Sequence, residues 1–346
     1  MFVFDHPSFD DHEGVHVFTD PDCGLKAIIS IHSTLHGPSS GGCRLWSYES
    51  EDAAIDDVLR LSRAMSYKNV MANLELGGGK SVILKPEGDF DRKALFTAFG
   101  KAVHTLGGKY IVAEDVGVSP ADMEIIKTQT PYVAGLNSGE AASGDPSPIT
   151  AKGVFLGLRA AAKHRLGKQS VKGLTVAVQG IGHVGYALCR HLHEAGAHLI
   201  VTDINQHALE SAKAEFGAIV VGLDEIYKQE ADIFAPCALG RAINPDSLPQ
   251  LKASIVAGAA NNQLSTPEMG AALHRASILF APDYVINAGG IINIASEVSG
   301  TYDPAWVDSK LDELERTTEE IFKISKSENR PTNDVADNMA RKRLGR

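Results

Sequence analysis

Apolar and polar residues alternate in GVHVFTD at 14 to 20 and again in LKAIISIHS at 25 to 33, a period of two that predicts two strands joined by a turn between Asp20 and Gly24. From Ser50 to Asn69 the period lengthens. Ala54, Val58, Leu61 and Met65 recur at helical spacing, with acidic residues in the first turns and basic ones later, as a polarised helix requires. Three glycines break that pattern in NLELGGGKSVIL, and SVIL then reads as a short buried strand, which puts Lys80 at a loop-to-strand junction. A helical stretch around Arg92 to Leu106 follows, then a strand in KYIVAEDVG, then a helix start at Ser119-Pro120 with Asp122. Helices alternating with strands predict an α/β fold with a mostly parallel sheet.

The segment SGEAASGDPSPIT, 138 to 150, is rich in Gly, Ser and Pro and marks a domain boundary. Beyond it a long helix, AKGVFLGLRAAAKHRLG, leads to the apolar strand LTVAVQ, the loop GIGHVG and a second helix to about His193. LIVTDI reads as a strand ending in an acid, and ADIFAP, SIVAGA and ILFAPDYVIN continue the series. This is the rhythm of a doubly wound nucleotide-binding sheet. The expectation is a substrate and oligomerisation domain over 1–140 and a Rossmann-type dinucleotide domain over 141–320, with a cleft between them. A charged amphipathic helix begins at Asp303 with a polar, basic stretch after it, and the C-terminal helix, about 320–346, would pack back on the first domain. A chain of 346 residues exceeds what one core usually supports, which agrees with two domains.

Charge narrows the partners. A net charge of −10 with no long Lys/Arg run argues against nucleic acid and anionic membranes, leaving small molecules. Cys23, Cys43, Cys189 and Cys237 are scattered without a CxxC pair, so neither a disulfide framework nor a metal site is suggested and a reducing cytoplasm fits. The acidic N-terminus carries no secretory pattern, and no run of about 18 apolar residues occurs.

Two constellations carry chemistry. Gly180, Ile181, Gly182, His183, Val184 and Gly185 follow a strand and open a helix, the context a dinucleotide fingerprint needs: a tight turn at Gly180, close approach of the pyrophosphate at Gly182, and helix packing at Gly185. Asp203, with Ile204 beside it, ends the next strand. Its carboxylate would accept hydrogen bonds from the adenosine ribose and repel a 2′-phosphate, favouring NAD over NADP. The second constellation is Gly77-Gly78-Gly79-Lys80 with Lys68 twelve residues earlier. A phosphate loop is excluded, because its spacing needs glycine where Leu74 stands. Two lysines near one cleft suggest that one anchors a carboxylate while the other, partly desolvated beside a like charge, loses its proton and works as a base. Asp115, at a strand end in AEDVG, is a matching proton carrier.

These residues, together with Gly41-Gly42-Cys43-Arg44, GDPSPIT at 144 to 150, Pro236-Cys237-Ala238-Leu239-Gly240, Gly258 to Gln263 and Asn287-Ala288-Gly289-Gly290, resemble the glutamate/leucine/phenylalanine/valine dehydrogenase family, and within it leucine dehydrogenases. The resemblance covers nearly the whole chain. It implies NAD-dependent oxidative deamination of an L-amino acid to its 2-oxo acid and ammonium, and the reverse, in a homo-oligomer. Lys68 would bind the substrate carboxylate near Gly42, Lys80 would be the general base on water, and Asp115 would relay protons to and from nitrogen. Thr150, Cys237, Ala238, Asn261 and Asn262 would line the nicotinamide side, with Asn262 contacting substrate or ribose.

Family glutamate enzymes place a lysine where Ser40 stands and a hydroxyl residue where Ile294 stands. Neither is present here, which disfavours a side-chain carboxylate. Met65, Ala113, Ile291 and Ile294 would form an apolar pocket for leucine, valine or isoleucine. The small Ser40 and Ala134 leave space for a ring, so phenylalanine is the alternative. A non-catalytic NAD sensor would have no use for Lys80 or Asp115, and both are present.

Overall fold

The computed structural model describes residues 3–136, 144–298 and 302–346. It divides into two compact units, Met1–Gly144 with Ile294–Asp303, and Asp145–Asn293 with Pro304–Arg346. The expected boundary at 140/141 falls outside the described residues.

The first unit contains β1 (Gly14–Asp20), β2 (Leu25–Ser33), β3 (Ser39–Trp46), α1 (Glu51–Met71), β4 (Gly77–Leu84), α2 (Arg92–Thr105), β5 (Tyr110–Glu114) and α3 (Pro120–Lys127). Its sheet has the order β1-β2-β4-β3-β5. β2 pairs antiparallel with β1 and β4, whereas β4, β3 and β5 pair in parallel. The short turn at Asp20 to Gly24 permits only a hairpin, so the mostly parallel sheet carries this one reversed strand. Alternation sorts the side chains between two faces. Ile28, Ala54, Val58, Leu59 and Val82 pack α1 against one face, and Ile29, Leu95, Phe96, Phe99, Met123 and Ile126 pack α2 and α3 against the other.

Local chemistry sets the helix starts. Ser50, Asp91 and Ser119 each accept a backbone N–H at the head of α1, α2 and α3, and Asp122 completes a capping box on α3. β4 departs from expectation, because the three glycines lie inside the strand and Lys80 is a strand residue with no loop before it. Crowding explains this: a β-carbon on Gly77 would lie 1.9 Å from the Ser33 carbonyl oxygen, and one on Gly78 would lie 2.1 Å from the Ser66 nitrogen on α1. The glycines let a strand and a helix approach; they do not end the strand.

The second unit contains α4 (Ser147–Leu166), β6 (Thr175–Gln179), α5 (His183–Glu194), β7 (His198–Thr202), α6 (Gln206–Phe216), β8 (Ile219–Val220), β9 (Ile233–Pro236), β10 (Ile255–Val256), α7 (Glu268–Arg275), β11 (Leu279–Phe280), α8 (Asp283–Ile286), α9 (Gly289–Val298, whose last residues count with the first unit), α10 (Pro304–Glu328) and α11 (Thr332–Arg343). All six strands run parallel in the order β11-β10-β9-β6-β7-β8. The chain starts mid-sheet and winds out both ways, so the loops after β6 and β9 diverge at a switch point where such sheets bind ligands.

The C-terminal segment differs from expectation in the unit it joins. Residues 304–346 belong to the second unit, where α10 packs on α4 through the ion pairs Lys152–Asp308, Arg159–Glu315 and Lys163–Glu319. The basic tail is the helix α11, held by buried Val335, Ala336 and Ala340 and by the Thr332 hydroxyl, which donates to the Phe280 carbonyl at 2.6 Å. Its charges occupy the solvent face of an amphipathic helix. No helix among the described residues is long and apolar enough to cross a membrane.

Candidate active site

In the first unit, strand register brings the predicted residues together. Ser40 pairs with Gly78 and with Ile111, and two residues on, Gly42 pairs with Ala113, so Ser40, Gly42, Gly78, Lys80 and Ala113 share the α1 side of the sheet. α1 crosses there, with Ser66, whose backbone touches Gly78, one residue after Met65 and two before Lys68. Ala134 follows a bridge to β5, and its N–H donates to the Val112 carbonyl at 2.9 Å. Ile294 belongs to the same unit; Ile291 is buried in the second.

Lys80 is 6% exposed, and its Nζ donates to Asp115 Oδ2 at 2.5 Å. Burial drives the Lys80 pKa down against the opposing pull of Asp115. The sequence reading assigned the like-charge contribution to Lys68; the cation that bears on Lys80 is Arg44, whose guanidinium also lowers it. Burial pushes Asp115 up, but Lys80 and Arg44 outweigh it and hold the carboxylate below its ordinary value. The result is a paired amine and carboxylate in which burial favours loss of the amine's proton and the carboxylate opposes it. A β-carbon on Gly42 would lie 2.6 Å from the Asp115 Cβ and 3.3 Å from the Lys80 Nζ, so only glycine leaves this space open. Arg44 carried no assigned role in the sequence, and Asp57 and Tyr48, which contact it or each other here, carried no signal at all.

In the second unit, Gly180 adopts φ +91°, and a β-carbon there would lie 2.6 Å from that of Ala238, so the loops after β6 and β9 meet at the switch point. A β-carbon on Gly185 would lie 2.1 Å from the Gly180 carbonyl, which explains glycine at the helix contact. Gly182 faces open space, and α5 begins there without a side-chain cap, with His183 exposed and Val184 half-buried. Bare N–H groups at an open helix start fit a pyrophosphate. Asp203 accepts from the Ile181 N–H at 2.6 Å and the Asn205 N–H at 2.8 Å, and with exposed Ile204 it lines a cavity of about 540 Å³ that also holds Val221 and Glu225. The carboxylate therefore shapes the loop as well as lining the cavity.

Burial pushes the Cys237 thiol up to about 12, which disfavours the thiolate. The Asn261 Oδ1 accepts from Asn287 Nδ2 at 2.9 Å, which ties that side chain into the fold, whereas Asn262 is exposed at φ +51°. Thr150 donates to the Pro146 carbonyl at 3.0 Å in the first turn of α4 and lies against Gly290. Among the described residues, no group of three or more His, Cys, Asp or Glu is placed to hold a metal ion.

Known proteins match this arrangement along the chain. The family model for the Glu/Leu/Phe/Val dehydrogenase dimerisation domain matches residues 12–132, and that for glutamate/leucine/phenylalanine/valine dehydrogenase matches 143–206 and 201–343. Leucine dehydrogenase of Geobacillus stearothermophilus is 50% identical over 344 residues, covering 99% of this chain and 94% of that protein. Valine dehydrogenase of Streptomyces virginiae is 42% identical over 342 residues, covering 98% and 95%. The crystal structure of L-tryptophan dehydrogenase from Nostoc punctiforme superposes with a TM-score of 0.86 at 42% identity, covering 96% of each chain. With both models matched and half the residues shared with a full-length relative, the chain belongs to the glutamate/leucine/phenylalanine/valine dehydrogenase family and is an amino-acid dehydrogenase.

Proposed function

We propose that the protein oxidises an apolar, branched-chain L-amino acid, leucine first, to its 2-oxo acid and ammonium with NAD, and runs the reverse amination. The observation that carries this is the buried Lys80 paired with Asp115 beside the bare backbone of Gly42. The first unit would hold the amino acid. Lys68 binds its carboxylate, Asp115 takes a proton from the substrate ammonium, and the free amine is then ready for oxidation. NAD, when bound, accepts the hydride from Cα. Lys80 in its neutral form removes a proton from the water that attacks the imino carbon, and Asp115 returns a proton to nitrogen as the C–N bond breaks. Burial of Lys80 makes its neutral form accessible.

The second unit would hold NAD through Gly180 to Gly185, with Asp203 and Ile204 at the adenosine ribose and Thr150, Cys237 and Ala238 towards the nicotinamide. The negative charge of Asp203 supports NAD over NADP. Asn262 supports the substrate or ribose contact better than Asn261, whose oxygen is engaged by Asn287. For the side chain, Met65, Ala113 and Ile294, with Ile291 from the second unit's sequence, support an aliphatic substrate. The small Ser40 and Ala134 favour a second, aromatic reading, and a 42% identical relative is named a tryptophan dehydrogenase. Assembly with copies of itself and residence in a reducing cytoplasm, where the four free cysteines stay reduced, complete the proposal.

NAD reduction by the purified protein with leucine, valine, isoleucine, phenylalanine, tryptophan and glutamate, repeated with Lys80→Ala, tests it. Turnover strongest on leucine and abolished in the variant is the expected result. Folded, NAD-binding protein that turns over none of the six would overturn it.

A further inference from the structure

We propose that Arg44 is a positioning residue for the reaction: clamped to Asp57 on α1, it fixes the Asp115 carboxylate against Lys80. This rests on the reading of Lys80 and Asp115 as the catalytic pair. The geometry is a chain of alternating charge. Arg60 Nη2 donates to Asp57 Oδ1 at 2.8 Å, and Arg44 Nη1 donates to Asp57 Oδ2 at 2.6 Å, with the Tyr48 hydroxyl on that same oxygen at 2.9 Å. Arg44 Nε then donates to Asp115 Oδ2 at 3.1 Å, the oxygen that also receives Lys80 Nζ. One rigid guanidinium plane thus holds two carboxylates at a set separation, which a lysine ammonium on a flexible stem cannot do.

The clamp acts on a side chain whose backbone is already fixed. The Leu45 N–H donates to the Val116 carbonyl at 3.0 Å, and Arg92 Nη2 donates to the Gly117 carbonyl at 2.7 Å, so the loop after β5 is held without Arg44. What Arg44 adds is the direction of the Asp115 carboxylate and a charge that never titrates. When Lys80 gives up its proton, Asp115 would lose one of the two cationic hydrogen-bond partners it has among the described residues; Arg44 keeps it compensated in both states. As a like charge, Arg44 also works with burial to favour neutral Lys80, while Asp115 opposes.

The other groups facing the pair are known. Cys43, pushed up to about 12 by burial, Tyr110, held well above its ordinary value, and Tyr48, also raised, stay neutral near neutral pH. The charged neighbours are Asp57 and Arg60 on α1, with Lys68 further along it, Glu114 on β5 and Asp122 on α3. Asp57 offsets the field of Arg44. Removing Arg44 and removing the charge of Asp57 therefore push the Lys80 equilibrium in opposite directions, which a purely structural clamp would not do.

The test measures kcat, KM and the pH dependence of kcat/KM for L-leucine deamination in the full-length protein, with folding followed by circular dichroism and NAD affinity by fluorescence titration. Arg44→Gln is expected to lower kcat about 100-fold, the scale for a misdirected catalytic group. It is expected to change KM by no more than about 3-fold, and to move the acid limb up by about one pH unit as a neighbouring cation is lost. Asp57→Asn moves the limb down, and Arg44→Lys keeps it at the wild-type position while recovering only part of kcat. Wild-type kcat and pH profile in folded Arg44→Gln would overturn the proposal, as would limbs that move the same way in Arg44→Gln and Asp57→Asn. If Arg44→Gln does not fold, Asp57→Asn decides alone: a limb that stays or rises overturns the proposal. Full activity in Lys80→Ala or Asp115→Asn would instead remove the underlying reading, whatever Arg44 does.

Discussion

Gly42 and Asp115 leave no space for a methyl group between them: a β-carbon on Gly42 would lie 2.6 Å from the Asp115 Cβ and 2.9 Å from the Glu114 carbonyl oxygen. Gly42→Ala must therefore displace the carboxylate, because backbone stands on its other side. A shift of about 1 Å in a reacting group costs on the order of 100-fold in rate. Gly42→Ala is expected to lose at least that much kcat/KM while still binding NAD, whose proposed site lies on residues of the other unit. Steady-state kinetics beside an NAD titration checks this. Activity within threefold of wild type would mean that Asp115 tolerates another position.

Asp203 has two tasks that substitution can separate. Its carboxylate accepts from the Ile181 and Asn205 N–H groups, and in the proposed NAD site its charge would face the ribose. Asp203→Asn keeps an acceptor oxygen but removes the repulsion of a 2′-phosphate, so the preference for NAD over NADP narrows by about tenfold, the scale of a charge-assisted hydrogen bond. Asp203→Ala also releases the loop, and both cofactors bind more weakly. Fluorescence titration with each cofactor distinguishes these outcomes. A gain in NADP affinity in Asp203→Ala without loss of NAD would show that the loop bonds are dispensable.

The sequence was most legible where one residue type has one physical use. GIGHVG after a strand is legible as a tight turn into a helix because Gly180 needs a positive φ and Gly185 a bare contact, both properties of glycine itself. Gly77 to Gly79 misread for a related reason: their use is close packing inside β4, and nothing local separates that from a loop. β8 escaped notice because a two-residue, exposed edge strand has no period to detect. Asp57 was invisible as a site residue, since in the second turn of α1 it reads as one more acid in the polarised N-terminal half. Its partnership with Arg44 exists only after α1 folds over β3.

Ser40 is fully buried, and its hydroxyl makes no hydrogen bond. Leaving a buried polar group unpaired costs roughly 1–3 kcal/mol, and an apolar replacement of similar shape removes that cost. Ser40→Ala is therefore expected to raise the apparent Tm by a few degrees. Ser40→Leu fills the space instead. It should improve kcat/KM for leucine relative to phenylalanine by about tenfold, the scale for a methylene-sized change in an apolar pocket. A substrate panel on both variants checks this; an unchanged ratio in Ser40→Leu would place position 40 outside the substrate pocket.

The last prediction concerns the loop that carries Asp115. Asp122 is 2% exposed and accepts from Arg92 Nε and Nη2, both at 2.7 Å, and from the Ser119 N–H and hydroxyl at 2.7 and 2.6 Å. Burial pushes its pKa up, but the bonds from Arg92 and Ser119 hold it below the ordinary 3.8. A carboxylate with a depressed folded-state pKa stabilises fully above its unfolded value and loses that contribution as pH falls through the folded one. The loss therefore begins below about pH 4, the unfolded aspartate value. At pH 7 Asp122→Asn is expected to cost about 2 kcal/mol, less than a fully buried pair because Arg92 is 43% exposed. The gap between variant and wild type must then close on acidification, since both carry a neutral side chain at low pH. Urea unfolding at pH 7, 4 and 3 measures it, and a gap constant with pH would show that packing, not ionisation, is what Asp122 contributes. The same variant frees Arg92 from the carboxylate that orients it towards the Gly117 carbonyl, so activity should fall with stability at pH 7, linking the acid-labile cap of α3 to the position of Asp115.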